Sequence, residues 1–238
     1  MVRILGRDMS IVSSFEMPAS FGNVAANEEF IYAIHRCEHI SSHTYDGTEV
    51  VSYRDPDKLI TSPVLGPGGL LFCVLYDEDG DSTQDEIVAL DAQTLQPRHR
   101  FGLSLLNGAV GMAVVGDELF VCDTTNDRLQ VFSLAGEHRR SITGEWKAPR
   151  DLCFVKDRLY LVEGVDTEED DDGELIDPLR SRRIFVLSLQ GDILQVYTHP
   201  VEGQFFRDAL CCFDGKLLAP VYHESGEFVV GVVALFGV

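Results

Sequence analysis

Residues His35-Arg36-Cys37-Glu38-His39, with His43 close behind, form a dense run of metal-ligand side chains. They match the HxxEH string of inverted zinc peptidases, in which two histidines on one helical face hold the metal and the glutamate reaches its water. That chemistry needs a helix. The string instead follows Phe30-Ile31-Tyr32-Ala33-Ile34, an apolar run that reads as a strand, so the peptidase arrangement is not expected. On an extended chain His35, Cys37 and His39 would share one face as three ligands of a zinc site; the competing reading is a plain polar loop. A second set, Asp77, Asp79 and Asp81 around Gly80 with Asp85 and Glu86 following, offers converging carboxylates to a hard cation such as calcium. Its glycine stands fourth in the loop and Val88 twelfth, so the EF-hand pattern fails and a solvated hairpin loop competes with calcium binding.

Nucleophile chemistry has no motif here, so no catalytic residue is assigned. GxSxG, SxxK and Walker sequences are missing, and Gly66-Pro67-Gly68-Gly69 lacks the Lys-Ser/Thr that phosphate binding needs. The net charge of −20 opposes nucleic acid and anionic membranes as partners and favours cations or basic proteins. No run of 18 apolar residues is present, and Met1 to Met17 lack the apolar core and cleavage site of a secretory signal. The six cysteines follow no framework spacing, and most sit inside apolar runs. Free thiols in a reducing compartment, with the cytosol as default, are the expectation.

Repetition is the strongest organising feature. From Gly108 the chain reads as an apolar strand, a Gly116-Asp117 turn, a strand at Leu119–Cys122, a polar loop, a strand at Leu129–Phe132, an Ala135-Gly136 turn and a last strand near Arg139–Ile142. The next unit repeats this with strands at Leu159–Val162 and Ile184–Leu187 around a long acidic insert, and weaker copies flank the pair. Second strands anchored at Ile31, Leu71, Leu119, Leu159 and Leu217 are spaced by 40, 48, 40 and 58 residues. Such a period predicts a β-propeller rather than a sandwich. The expected blades are about 21–60, 63–104, 106–146, 148–200, and 203–238 completed by 1–17. In this single all-β domain of about five four-stranded blades, Ile11–Phe15 closes the ring, because an unpaired end leaves an exposed edge. The alternative is an incomplete six-bladed propeller.

The two central units resemble NHL repeats. Leu119-Phe120-Val121-Cys122-Asp123, then Asn126-Asp127-Arg128-Leu129-Gln130-Val131-Phe132, then Ala135-Gly136 carry the likeness, which is good over about 106–200. The resemblance implies a propeller acting as an interaction module or scaffold within larger assemblies. It also implies a rival, a metal-dependent hydrolase or lyase with its metal in a central channel, for which Asp151 and Asp208 are the available carboxylates. Asp123, Asn126 and Arg128 are expected to serve the fold. Trp146 is placed in a loop between repeats, available for a surface or edge contact.

Loops joining second to third strands emerge on one face of a propeller. Taken as 36–49, 77–86, 123–128, 163–183 and 223–227, they hold 22 of the 39 acidic residues and about −17 of the charge. The expected function is non-enzymatic binding of a basic protein segment by this acidic rim, through Asp77, Asp79, Asp81, Asp85, Asp166, Glu168, Glu169, Asp170, Asp171 and Asp172. Exposed loops that collect charge for solubility alone are the competing explanation.

Overall fold

The computed structural model describes residues 2–5, 10–15, 21–77, 84–164, 182–201, 204–206, 210–213, 216–223 and 228–232. They gather into two compact units, residues 1–107 with 134–137, and 108–133 with 138–238.

In the first unit a hairpin of β1 (Val2–Leu5) and β2 (Ile11–Phe15) precedes two four-stranded antiparallel sheets. One is β3 (Phe21–Ala26), β4 (Ile31–His35), β5 (His39–His43) and β6 (Glu49–Tyr53), paired in chain order. The other is β7 (Leu59–Gly66), β8 (Leu70–Tyr76), β9 (Glu86–Asp91) and β10 (Pro97–Phe101), again a meander. The middle strands read as unbroken apolar runs because they are covered on both faces: every residue of β4 is buried, and Leu71 to Leu75 of β8 are fully so. Tyr32, Ile34 and Ile40 of the first sheet pack with Ile60, Leu71, Cys73, Leu75, Val88 and Leu90 of the second. The Gly66-Pro67-Gly68-Gly69 run is the β7–β8 reversal, with Gly68 and Gly69 both at positive φ, a backbone hand that other residues reach only with strain.

The second unit begins with β11 (Ala109–Val115), β12 (Glu118–Asp123), β13 (Arg128–Ser133) and β14 (His138–Thr143), then β15 (Pro149–Val155), β16 (Arg158–Glu163), β17 (Arg183–Leu187) and β18 (Ile193–Thr198). Each set of four is a meander. After them β19 (Gln204–Phe206) pairs with β22 (Pro220–His223) and β22 with β23 (Phe228–Val232), while β20 (Cys211–Phe213) pairs with β21 (Lys216–Leu218). Phe120, Leu129, Val131, Leu152, Leu161, Phe185 and Leu187 form one core, and Tyr160, Val162, Ile184, Val186, Phe206, Leu217 and Val221 another. Strands β11 and β15 approach closely at Gly111, where an added Cβ would stand 2.5 Å from Asp151 Cα and 2.6 Å from the Arg150 carbonyl oxygen.

Two sequence expectations are corrected. Residues 39–43 are a strand, not part of a 36–49 loop: Arg36 and Cys37 both take positive φ and the Glu38 N–H donates to the His35 carbonyl at 2.8 Å, a mirror-image hairpin turn built without the usual Asn-Gly. Trp146 is fully buried, with its ring edge-on to Phe185 at a centroid distance of 5.9 Å. Ile11–Phe15 pairs with Val2–Leu5 in a local hairpin.

Candidate functional site

The second-to-third-strand connections start where polar residues end one buried strand and begin the next. In the second unit these ends are ion-paired. Asp123 and Arg128 lie opposite each other in the β12–β13 ladder, with Arg128 Nε donating to Asp123 Oδ2 at 2.6 Å. Asn126 Nδ2 donates to both Asp123 oxygens at 3.1 Å. In the next sheet Arg183 Nε and Nη2 donate to the two oxygens of Glu163 at 2.6 and 3.1 Å, a bidentate fork, and the guanidinium lies 5.5 Å from the Phe185 ring centroid. Asp123 and Glu163 are both buried, so burial is matched by charge-assisted bonds. These residues hold the fold, as expected for Asp123, Asn126 and Arg128.

In the first unit the ends differ. Glu86 opens β9 and pairs with Lys58 at 3.2 Å and Arg100 at 3.3 Å. Arg100 also pairs with buried Asp55, which accepts from the Tyr53 hydroxyl at 2.8 Å. Burial and the bond to Asp55 push the Tyr53 phenol up to about 12. At β4 and β5 the ends are imidazoles: His35 lies opposite His39, with the rings stacked at 4.6 Å. Behind them Ser41 Oγ stands 2.6 Å from His35 Nε2 and 2.7 Å from His43 Nε2, with all three side chains buried. A hydroxyl has one proton, so with both rings neutral Oγ donates to one imidazole and accepts from the other. Burial first, then His39 and His43, hold the His35 imidazole below its ordinary value. Ser41 and His43 were missed as partners, although His39, Ser41 and His43 share the two-residue period of one strand face.

The hairpin removes the extended face that the zinc reading assumed. Cys37 lies in the turn between His35 and His39 rather than on a common extended face, and among the described residues no group of three or more His, Cys, Asp or Glu is placed to hold a metal ion. The calcium expectation loses two ligands. Asp85 is 1% exposed and Glu86 is a strand residue bound to Lys58 and Arg100. Asp77 is half-buried at the end of β8, while Asp79 and Asp81 lie outside the described residues. So do Asp166, Glu168, Glu169, Asp170, Asp171 and Asp172. Among the described loop carboxylates Asp85, Glu86, Asp123 and Glu163 are buried and cannot meet a partner. Asp151 accepts the Leu152 N–H at 2.9 Å through Oδ1 and the Leu210 N–H at 2.7 Å through Oδ2, tying β15 to the chain before β20; Asp208 lies outside the described residues. All six cysteines are free, with Cys73 and Cys122 buried and Cys211 and Cys212 exposed.

No protein-family model and no curated protein matches the chain. Among solved structures it is similar to a protein of unknown function from Bacteroides caccae, at 14% identity and a TM-score of 0.65 over 98% of this chain and 89% of that one. A streptogramin B lyase superposes at 14% identity and a TM-score of 0.63, covering 90% of this chain and 70% of that one. BamB from Moraxella catarrhalis gives 15% identity and a TM-score of 0.51, covering 92% and 71%. Likeness at these identities shows the fold alone. The lyase and BamB are β-propellers, and this all-β chain has that fold. Among the described residues no helix is long and apolar enough to cross a membrane.

Proposed function

We propose that this chain is a non-enzymatic binding propeller whose acidic connections, above all 166–177, recruit a basic segment of a partner protein. The observation that carries the reading is how the cations are used. Nine of the 19 lysines and arginines (Arg54, Lys58, Arg98, Arg100, Arg128, Arg139, Arg140, Lys147 and Arg183) pair with carboxylates of the described residues, in strands and in the turns beside them. About half of the chain's cations are thus committed, and a net charge of −20 leaves the acidic segments to draw positive charge from outside. The same excess repels nucleic acid and anionic membrane. In this reading the chain is a single domain of five NHL-like blades, works in the reducing cytosol and joins a larger assembly.

The test is a pull-down with the whole chain and with a 166–177 deletion, washed at rising salt. A partner lost on deletion, and released from the intact chain as screening rises, supports the proposal. A partner held equally by both proteins at every salt concentration overturns it.

A further inference from the structure

In the four four-stranded sheets of the described residues the outer strand carries one bulged residue at the same place in its ladder: Val50, Arg98, Arg139 and Leu194. Beyond this shared bulge, which itself guards an edge, two of these outer strands also carry charge or proline. β10 has Pro97, Arg98 and Arg100, and β14 has His138, Arg139 and Arg140. Their bulged arginines are ion-paired within their own sheets, Arg98 to Asp91 and Arg139 to Asp117 and Glu118. β6 retains Glu49 beside its bulged valine. β18, Ile193-Leu-Gln-Val-Tyr-Thr198, has no charge and no proline. It is the last strand of its sheet, and among the described residues it pairs with β17 alone. Ile193 is 36%, Leu194 50% and Val196 39% exposed.

An uncharged edge with β-branched and large apolar side chains is a template for one more strand. A second copy of this chain is a poor occupant, because each copy brings −20. We infer that β18 receives an extended segment of a partner protein by β-addition, and that this segment alternates apolar residues, which cover Leu194 and Val196, with lysine or arginine, which answer the chain's negative field. This rests on the basic-partner reading above and adds where and how the segment is seated.

The probe is a capped eight-residue peptide alternating lysine and valine, with two controls: the glutamate–valine counterpart, and the lysine–valine peptide N-methylated at every residue, which keeps charge and side chains but cannot donate to a ladder. Binding is read by fluorescence anisotropy and amide hydrogen exchange on the full chain and the 166–177 deletion. The expected result is that only the unmethylated lysine–valine peptide binds, that it slows exchange within 193–198, and that the double variant L194K/V196K, checked by circular dichroism for an unchanged fold, loses it. Three results would overturn the inference: no binding, equal binding by the methylated peptide, or binding that leaves β18 exchange unchanged. Slowed β18 exchange without peptide that grows with protein concentration would also overturn it, in favour of self-pairing. If the β18 tests fail while the deletion still removes a partner, the acidic-segment reading stands alone. If peptide seats on β18 with no dependence on salt or on 166–177, β-addition stands and that reading falls.

Discussion

At the scale of single residues, the buried ion pairs and the imidazole chain give the sharpest predictions. Glu163 is fully buried, and Arg183 supplies its charge and two hydrogen bonds. Removing one partner strands the other, so Arg183→Met should lower unfolding free energy by about 3 kcal/mol, and adding Glu163→Leu should restore part of it; urea unfolding of the single and double variants checks both. Ser41→Ala leaves two buried imidazole nitrogens without their shared partner and should cost about 2 kcal/mol. His35 also sets a pH dependence. Its folded-state value lies below the ordinary 6.5, so the unfolded chain takes up the proton first as pH falls. Its contribution is therefore fully present above 6.5 and is lost as pH drops from there toward the depressed folded value. The facing groups are His39, His43 and Glu49, and of these only Glu49 opposes the depression. Denaturant midpoints on either side of pH 6.5 should fall for the wild type and fall less for His35→Gln. Asp123 and Arg128 were legible because they lie five positions apart across a short hairpin. Glu163 and Arg183 are twenty apart around a long insert, and nothing local announces that pair.

At the scale of elements, strands were legible where turn chemistry marked them. Gly116, Gly136 and Gly191 all take positive φ, and the two central sheets fall where the repeat put them. The first sheet was misread because its hairpin reverses through Arg36 and Cys37, residues that carry no turn signal. Trp146 was misread because a lone aromatic between strands gives no period from which to infer burial. Gly111 shows what sets the β11–β15 spacing: backbone and Asp151 occupy the space a side chain would need. Gly111→Ala should therefore destabilise by about 1–3 kcal/mol, measured as a lowered thermal midpoint, because the obstructing atoms include backbone that cannot rotate away.

At the scale of the whole molecule, the charge was legible in the composition, while its division between structure and surface was not. A count of acidic residues in connections does not reveal that Asp123 and Glu163 are ion-paired and buried. Their burial narrows the proposed interface to fewer carboxylates without weakening the excess. The most direct measurement is the association rate of the captured partner with the intact chain and the 166–177 deletion across a salt series. A steered encounter predicts a rate that falls steeply with salt for the intact chain, and for the deletion a slower rate with a flatter dependence. Rates that coincide for the two proteins and do not change with salt would contradict the account.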